Sequence, residues 1–487
     1  MISEFEKQAE AFHQELSREY YLAEAGLKDE LSITPIYDRY ADLFEENVVR
    51  EFLTLTQDTR GRYLAEWVAL EYLENLVKGL TETVSNAMRQ ATVQWNGQQV
   101  PYPNLRSVIS NEPDMARRHR LHELQREVTA SANPDRRRRF GILHKKAQHL
   151  GFDSYTTLCD QLRGLDLHSL AKQMQVLLNE TRHIFSQHLA PFLSSIEVPL
   201  EKAATCDIWY LFRGRTFDAL FPREALIPAL MTTLGGMGID LAQQENLELD
   251  TEARPLKSPR AFCVPIRIPE EVKLVIKPIG GPDDYSSLFH EAGHAEHFAN
   301  VDPDLAFPFK RLGDNSVTEA YAFLFDHLPL NAQWLNRVLG IKHTSDFVRL
   351  AHFRKLWFLR RYSSKLLYEL ELHTELNGAQ ERYVSLLGNE LGVAIPPEDY
   401  LMDVDDAFYC AQYLRAWIFE VQLRRFLENE FGAEWFTMRD AGAYLISLWT
   451  RGQQLRPEEL ATEMGYEGLD AKYLVEELVS TLSDARD

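Results

Sequence analysis

The stretch Asp283-Asp284-Tyr285-Ser286-Ser287-Leu288-Phe289-His290-Glu291-Ala292-Gly293-His294-Ala295 decides how the rest of this 487-residue chain is read. Asp283 to Ser287 supply N-cap and first-turn residues, and Leu288, Phe289, Ala292 and Ala295 give the apolar spacing of a helix. On that helix His290 and His294 stand one turn apart on one face. Both imidazoles can therefore reach a single ion at the about 2.0–2.1 Å that zinc–nitrogen bonds require. Glu291 points off that axis, where a carboxylate is placed to take a proton from water rather than to ligate. The competing reading of the same five residues is a surface helix whose histidines are solvated.

A catalytic zinc keeps one position open and takes three protein ligands, so a third donor is required. Glu319 meets the requirement. It lies in Asn315-Ser316-Val317-Thr318-Glu319-Ala320-Tyr321-Ala322-Phe323-Leu324-Phe325, an apolar predicted helix in which a carboxylate needs a cationic partner to be buried. A first-turn glutamate favoured by the helix dipole is the other reading of Glu319. His297 sits a further turn along, about 10 Å of axial rise from His290. It reads as a packing or supporting histidine, not as a ligand.

These residues resemble the thimet oligopeptidase and oligoendopeptidase F group of zinc metallopeptidases. That group writes its helix HExGHxxH, and His290, Glu291, Gly293, His294 and His297 stand in those places. Its third ligand is a Glu at the distance that separates His294 from Glu319. The resemblance implies one zinc per chain, held by His290, His294 and Glu319, with Glu291 as general base. Upstream, Lys257–Ile268 and Val272–Ile276 read as two strands around Pro269-Glu270-Glu271, similar to the small sheet that precedes the zinc helix in the group. Such a strand can bind an extended peptide through its backbone, and a purely structural hairpin fits the residues equally well.

Downstream, Asp403-Val404-Asp405-Asp406-Ala407-Phe408-Tyr409-Cys410-Ala411-Gln412-Tyr413 looks like the tyrosine-rich helix that closes over the group's active site. The resemblance implies that Tyr413, and in second place Tyr409, hydrogen-bonds the oxyanion. A phenol donates at neutral pH without adding charge. An interfacial core aromatic is the alternative for each. The chain departs from the group at Asp403, where a histidine is usual. An ionised carboxylate cannot donate to an oxyanion, so Asp403 must point elsewhere, be protonated, or pair with a cation.

Composition fits a large globular enzyme, with 45% hydrophobic residues and a formal net charge of −21. That charge argues against nucleic acid or an anionic membrane as the main partner. No apolar run approaches the about 20 residues that cross a bilayer, and Met1-Ile2-Ser3-Glu4-Phe5-Glu6-Lys7 lacks the pattern of a signal peptide, so a cytoplasmic location is expected. Cys159, Cys206, Cys263 and Cys410 are far apart and form no CxxC pair, which reads as reduced thiols. The oligomeric state is not encoded in any pattern of the sequence.

Periodicity is mainly helical. Long amphipathic segments such as Arg62–Ala87, Arg354–Leu376 and Phe408–Phe431 alternate with breaks at Asn96-Gly97, Pro101-Tyr102-Pro103 and Asn133-Pro134. The stretch Pro191 to Pro199 reads as a lobe boundary, giving an N-terminal helical lobe over 1–200 and a catalytic lobe over 201–487, and an acidic tail is read over Glu476–Asp487. The arginine run Arg136 to Arg139 reads as a solvated face paired with neighbouring acids, in preference to a binding patch. With the resemblance, the expected fold is a mainly α, two-lobed helical bowl with a small β-sheet beside the zinc helix. Its deep cleft would admit short unfolded peptides. Two functions are carried forward: a zinc oligopeptidase, and a zinc-binding but catalytically weak homologue that binds peptides.

Overall fold

In the computed structural model, which describes residues 2–484, the chain is mainly α-helical with two small sheets. The last residues of the acidic tail, 485–487, lie outside the described residues. Its first part belongs to the helix Lys472–Asp484.

Several expected breaks turn out to be helix starts. Helix Tyr102–Asn111 opens at Pro101-Tyr102-Pro103, and helix Asn133–His149 opens at Asn133-Pro134. Proline fits the first helical positions because its missing N–H would find no partner there in any case. Asn96-Gly97 is a hairpin turn. Asn96 (φ 51°) and Gly97 (φ 77°) both take the left-handed conformation and join strands β1 (Thr92–Trp95) and β2 (Gln98–Pro101), as an Asn-Gly pair favours. Helix Leu167–Ser195 continues past Pro191, so the chain breaks only at Ile196 to Pro199. Across that break one apolar core is continuous. Phe185, for instance, stacks on Phe353 at 5.5 Å.

The second sheet carries one strand more than the sequence suggests. β3 (Leu247–Asp250) pairs in parallel with β5 (Glu271–Val275), which pairs antiparallel with β4 (Phe262–Arg267). The order β3-β5-β4 leaves β4 at one edge, packed on the helix Pro282–Ala299 that carries the histidines. That motif helix starts differently from the sequence expectation. Gly281 (φ 93°) is its N-cap, Pro282 its first residue, and no side chain caps it. Asp284 instead turns back to accept from the N–H groups of Ile279 (2.6 Å) and Gly280 (2.7 Å). This leaves a carboxylate in the first turn, where the helix dipole favours it.

The motif helix packs closely on helix Asn315–His327, which bears Glu319. Gly293 sets their separation: a Cβ built there would lie 2.5 Å from Tyr321 O and 2.6 Å from Ala322 Cα. Backbone cannot give way as a side-chain tip can. A Gly293→Ala chain is therefore expected to lose about 1–3 kcal/mol of stability through overpacking, measured as a lower urea midpoint at unchanged slope.

The arginine run is not a solvated face. Arg136 is buried and donates to Thr129 O (3.0 Å), Arg137 reaches Leu376 O (2.9 Å), and Arg139 pairs with Glu74 (2.5 Å) and Asp406 (2.6 Å). Only Arg138 is exposed. The run clasps early helices to late ones and leaves no basic patch. No cysteine among the described residues is in a disulfide, and no helix of the structure is long and apolar enough to cross a membrane.

Candidate metal centre

His290 and His294 project from one face of the motif helix with ring centroids 5.0 Å apart. Facing them, Glu319 is 4% exposed, and its Oε2 lies 3.5 Å from Nε2 of each imidazole. Tetrahedral coordination with bonds of about 2.0–2.1 Å places ligand atoms about 3.4 Å apart, so the observed spacing suits zinc. Glu319 Oε2 is buried and has no hydrogen-bond partner, although buried carboxylate oxygens are ordinarily paired. A cation held by the three groups would supply what Oε2 lacks, and the residues present fit the implied metal.

The outer contacts orient these groups. His294 Nδ1 is hydrogen-bonded with Thr318 Oγ1 (2.8 Å), which turns Nε2 toward Glu319. Glu319 Oε1 accepts from Tyr409 Oη (2.7 Å). His290 packs edge-on against Phe323 (5.2 Å) and feels the carboxylate of Asp326, which is held by Ser286. Thr318, Asp326 and Ser286 are contributions that sequence reasoning did not find. Their only sequence signal is a polar side chain on the two helices that carry His290, His294 and Glu319. His297 is fully buried and packs on Phe298 (5.0 Å) and Tyr321 (5.1 Å), where burial lowers its pKa to about 3.

Electrostatics follow from crowding in a largely buried site. Burial opposes charge on Glu319, yet the two imidazoles overcome it and hold the carboxyl well below its usual range. Burial likewise disfavours the His290 cation, but the Glu319 and Glu291 carboxylates outweigh it and raise that pKa to about 9. Glu291 is raised, chiefly by burial. Its Oε2 accepts from the Cys263 backbone N–H on β4 (2.9 Å), which fixes the carboxylate between the motif helix and the edge strand. A carboxyl with its pKa moved toward neutrality is suited to exchanging protons.

Helix Tyr409–Phe431 enters through Ala407 (φ 51°) and Phe408 (φ 57°), two consecutive left-handed residues that are not glycine. Such backbone persists only where its surroundings hold it. Here Ala407 N–H donates to Tyr155 Oη (3.1 Å), Asp405 N–H to Glu369 (2.9 Å), and Lys365 pairs with Asp405 (2.7 Å). Tyr409 is thereby placed on the Glu319 carboxylate. Tyr413, half-buried, lies 5.0 Å from it ring to ring. Burial, then the Glu319 charge, raises the Tyr413 pKa and keeps the phenol neutral.

Asp403 is paired with a cation. Arg361 contacts its Oδ1, Tyr383 Oη donates to Oδ2 (2.8 Å), and Lys365 lies 3.7 Å away. Burial opposes ionisation of Asp403, but these partners lower its pKa below the ordinary carboxyl value. Asp403→Ala would leave Arg361 short of its counter-charge, with an expected loss of about 3 kcal/mol or more in urea unfolding. Asp403→Asn would lose less, because its one amide oxygen still accepts from Arg361 and its amide nitrogen can donate to the Tyr383 hydroxyl.

A second gathering of metal-type donors, His119, Cys206 and Asp207, lies away from this centre. Arg118, fully buried, already balances Asp207 at 2.7 Å. The set therefore offers a cation little net negative charge.

No family model and no curated protein sequence matches this chain. Solved structures do. PZ peptidase A, determined with an inhibitor, superposes with a TM-score of 0.68 at 14% identity, covering 96% of this chain and 89% of its own. A protein assigned as an oligoendopeptidase F from Bacillus anthracis str. Ames superposes with a TM-score of 0.63 at 15% identity, covering 96% and 87%. At that identity the likeness shows the fold: this chain has the fold of these two peptidases over most of its length.

Proposed function

We propose that the chain is a zinc-dependent oligopeptidase that hydrolyses short, unfolded peptides. The observation that supports this most is Glu319 Oε2, buried, without a hydrogen-bond partner, and 3.5 Å from Nε2 of both His290 and His294. Held by these three residues, zinc would supply an open coordination position, lower the pKa of water toward neutrality and polarise a carbonyl. Glu291 takes the proton from the attacking water and returns it to the leaving amine. The Tyr413 phenol donates to the oxygen that becomes negative as the carbonyl is attacked, while Tyr409 supports Glu319 from its other oxygen. Strand β4, at the sheet edge beside the motif helix, offers backbone groups to an extended peptide, which favours unfolded substrates of many sequences. A cleft between helical lobes would restrict their length.

Protein analysed for metal is expected to carry about one zinc per chain and to cleave a mixed library of short peptides. Stripping the metal with a chelator should abolish cleavage, and an equivalent of zinc should restore it. Asp403 motivates a second reading, a zinc-binding but catalytically weak homologue that holds peptides, because its engagement with Arg361 and Tyr383 supplies no donor in place of a histidine. Zinc-loaded protein that binds the library but cleaves none of it would favour that reading.

A further inference from the structure

Helices from both halves of the chain frame a cavity of about 30 Å³ whose lining includes Tyr63, Glu66, Arg163, Asp314, Gln412 and Arg456. Tyr63 (6% exposed), Asp314 (7%) and Gln412 (2%) are more than nine-tenths buried. Four of the six carry buried side-chain atoms with no hydrogen-bond partner: Tyr63 Oη, Arg163 Nε and Nη1, Gln412 Oε1 and Arg456 Nε. All but the last-but-one are donors, and an amide oxygen and nitrogen exchange places when the group is turned over. Both carboxylates at the cavity are already paired with arginines. Asp314 accepts from Arg415 (2.6 Å) and from Ser316 N–H (2.9 Å). Glu66 lies 3.2 Å from Arg163 Nε in an ion pair, without hydrogen-bond alignment.

We propose that this cavity binds a monatomic anion of the halide class, with chloride as the natural occupant. The room suffices for one or two water-sized bodies, which favours a monatomic anion over phosphate. A water presents two lone pairs, fewer than the donors gathered here, whereas a halide accepts from several at once. Charge agrees, since Arg163 and Arg456 face Glu66 and Asp314, and Arg62, also in the lining, adds a further cation. Burial raises the Glu66 pKa to about 7, so its negative charge is readily given up. An anion here would tie helices Thr59–Gln90 and Tyr155–Arg163 to helices Asn315–His327 and Tyr409–Phe431. The field at Tyr409, which Arg163 already reaches, would change with occupancy.

Anion binding here is independent of peptide hydrolysis and can be read directly. Bromide is the probe, because it substitutes for chloride and scatters anomalously. Crystals of the full chain in sodium bromide are expected to show an anomalous peak among Tyr63, Arg163, Gln412 and Arg456. In solution, replacing sodium gluconate by sodium bromide at constant ionic strength should raise the unfolding temperature by about 1–2 °C. Tyr63→Phe removes one donor and keeps the shape, so bromide should bind about three- to tenfold more weakly with circular dichroism and zinc content unchanged. Arg163→Gln should weaken it further. Density for water alone at the cavity, or an equal bromide shift in parent and variants, would overturn the proposal.

Discussion

A Glu291→Gln chain is expected to hold zinc as the parent does and to cleave peptides at least about a thousandfold more slowly, toward the upper end of what a general base contributes. Glutamine keeps the length of the side chain and still accepts the Cys263 N–H that fixes Glu291 Oε2 at 2.9 Å, so the site should keep its shape. What it cannot do is take a proton. The loss should therefore fall on kcat, with KM nearly unchanged, because the missing interaction belongs to the transition state. Stability should not fall with activity. Glu291 has a raised pKa through burial, so ionising it at pH 7 works against folding, and the amide avoids that penalty. Measured together, metal content, kcat and unfolding temperature separate the possible failures. Activity within tenfold of the parent would remove Glu291 from the role of base. Loss of zinc along with activity would mean that Glu291 contributes to metal binding instead.

How much of this was written in the sequence depends on the range of the interaction that carries each feature. His290 and His294 are related by one helical turn, and Glu319 betrays itself as a charge in an apolar helix, so local pattern sufficed to nominate all three. The strand pair beside the motif helix was legible for the same reason. β3 was not, because Leu247–Asp250 is four residues long and becomes a strand only through parallel pairing with β5. The hairpin at Asn96-Gly97 did carry its signal, two residues suited to left-handed backbone between short strands, and was masked by reading the pair as a break. Arg361, which pairs with Asp403, and Asp406, which pairs with Arg139, lie 42 and 267 residues from their partners in the chain, where no periodicity reaches. The N-cap at Gly281 was obscured by Asp283 and Asp284, of which Asp284 turns back onto the preceding loop and Asp283 pairs with Arg354. Gly293 shows the limit most clearly. Its place in the motif was visible, but its reason, backbone of a second helix within 2.6 Å of the missing Cβ, exists only in three dimensions.

Zinc uptake at pH 7 is expected to release about one proton from His290, and Glu319→Ala should abolish both the release and tight metal binding. In the metal-free protein the pKa of His290 is raised to about 9, with the nearby Glu319 and Glu291 carboxylates outweighing burial. At neutral pH the ring is therefore protonated, and an imidazolium has no lone pair for a metal. The sign of the linkage follows. A raised folded-state pKa contributes stability to the metal-free protein that is complete below the unfolded value of about 6.5 and is lost as pH rises through about 9. Zinc affinity should climb through that same window, because the proton it must displace becomes easier to remove. Calorimetric titrations with zinc in buffers of different ionisation enthalpy measure the proton directly. Equal apparent heats in all of them would show that His290 is already neutral and that Glu319 does not hold its charge. Removing Glu319 takes away both a ligand and the group that raises His290. Affinity should then drop by more than the about 10–100-fold expected of Tyr409→Phe, which deletes only the hydrogen bond to Glu319 Oε1. If the two variants bound zinc equally well, Glu319 would be a neighbour of the metal and not its third ligand.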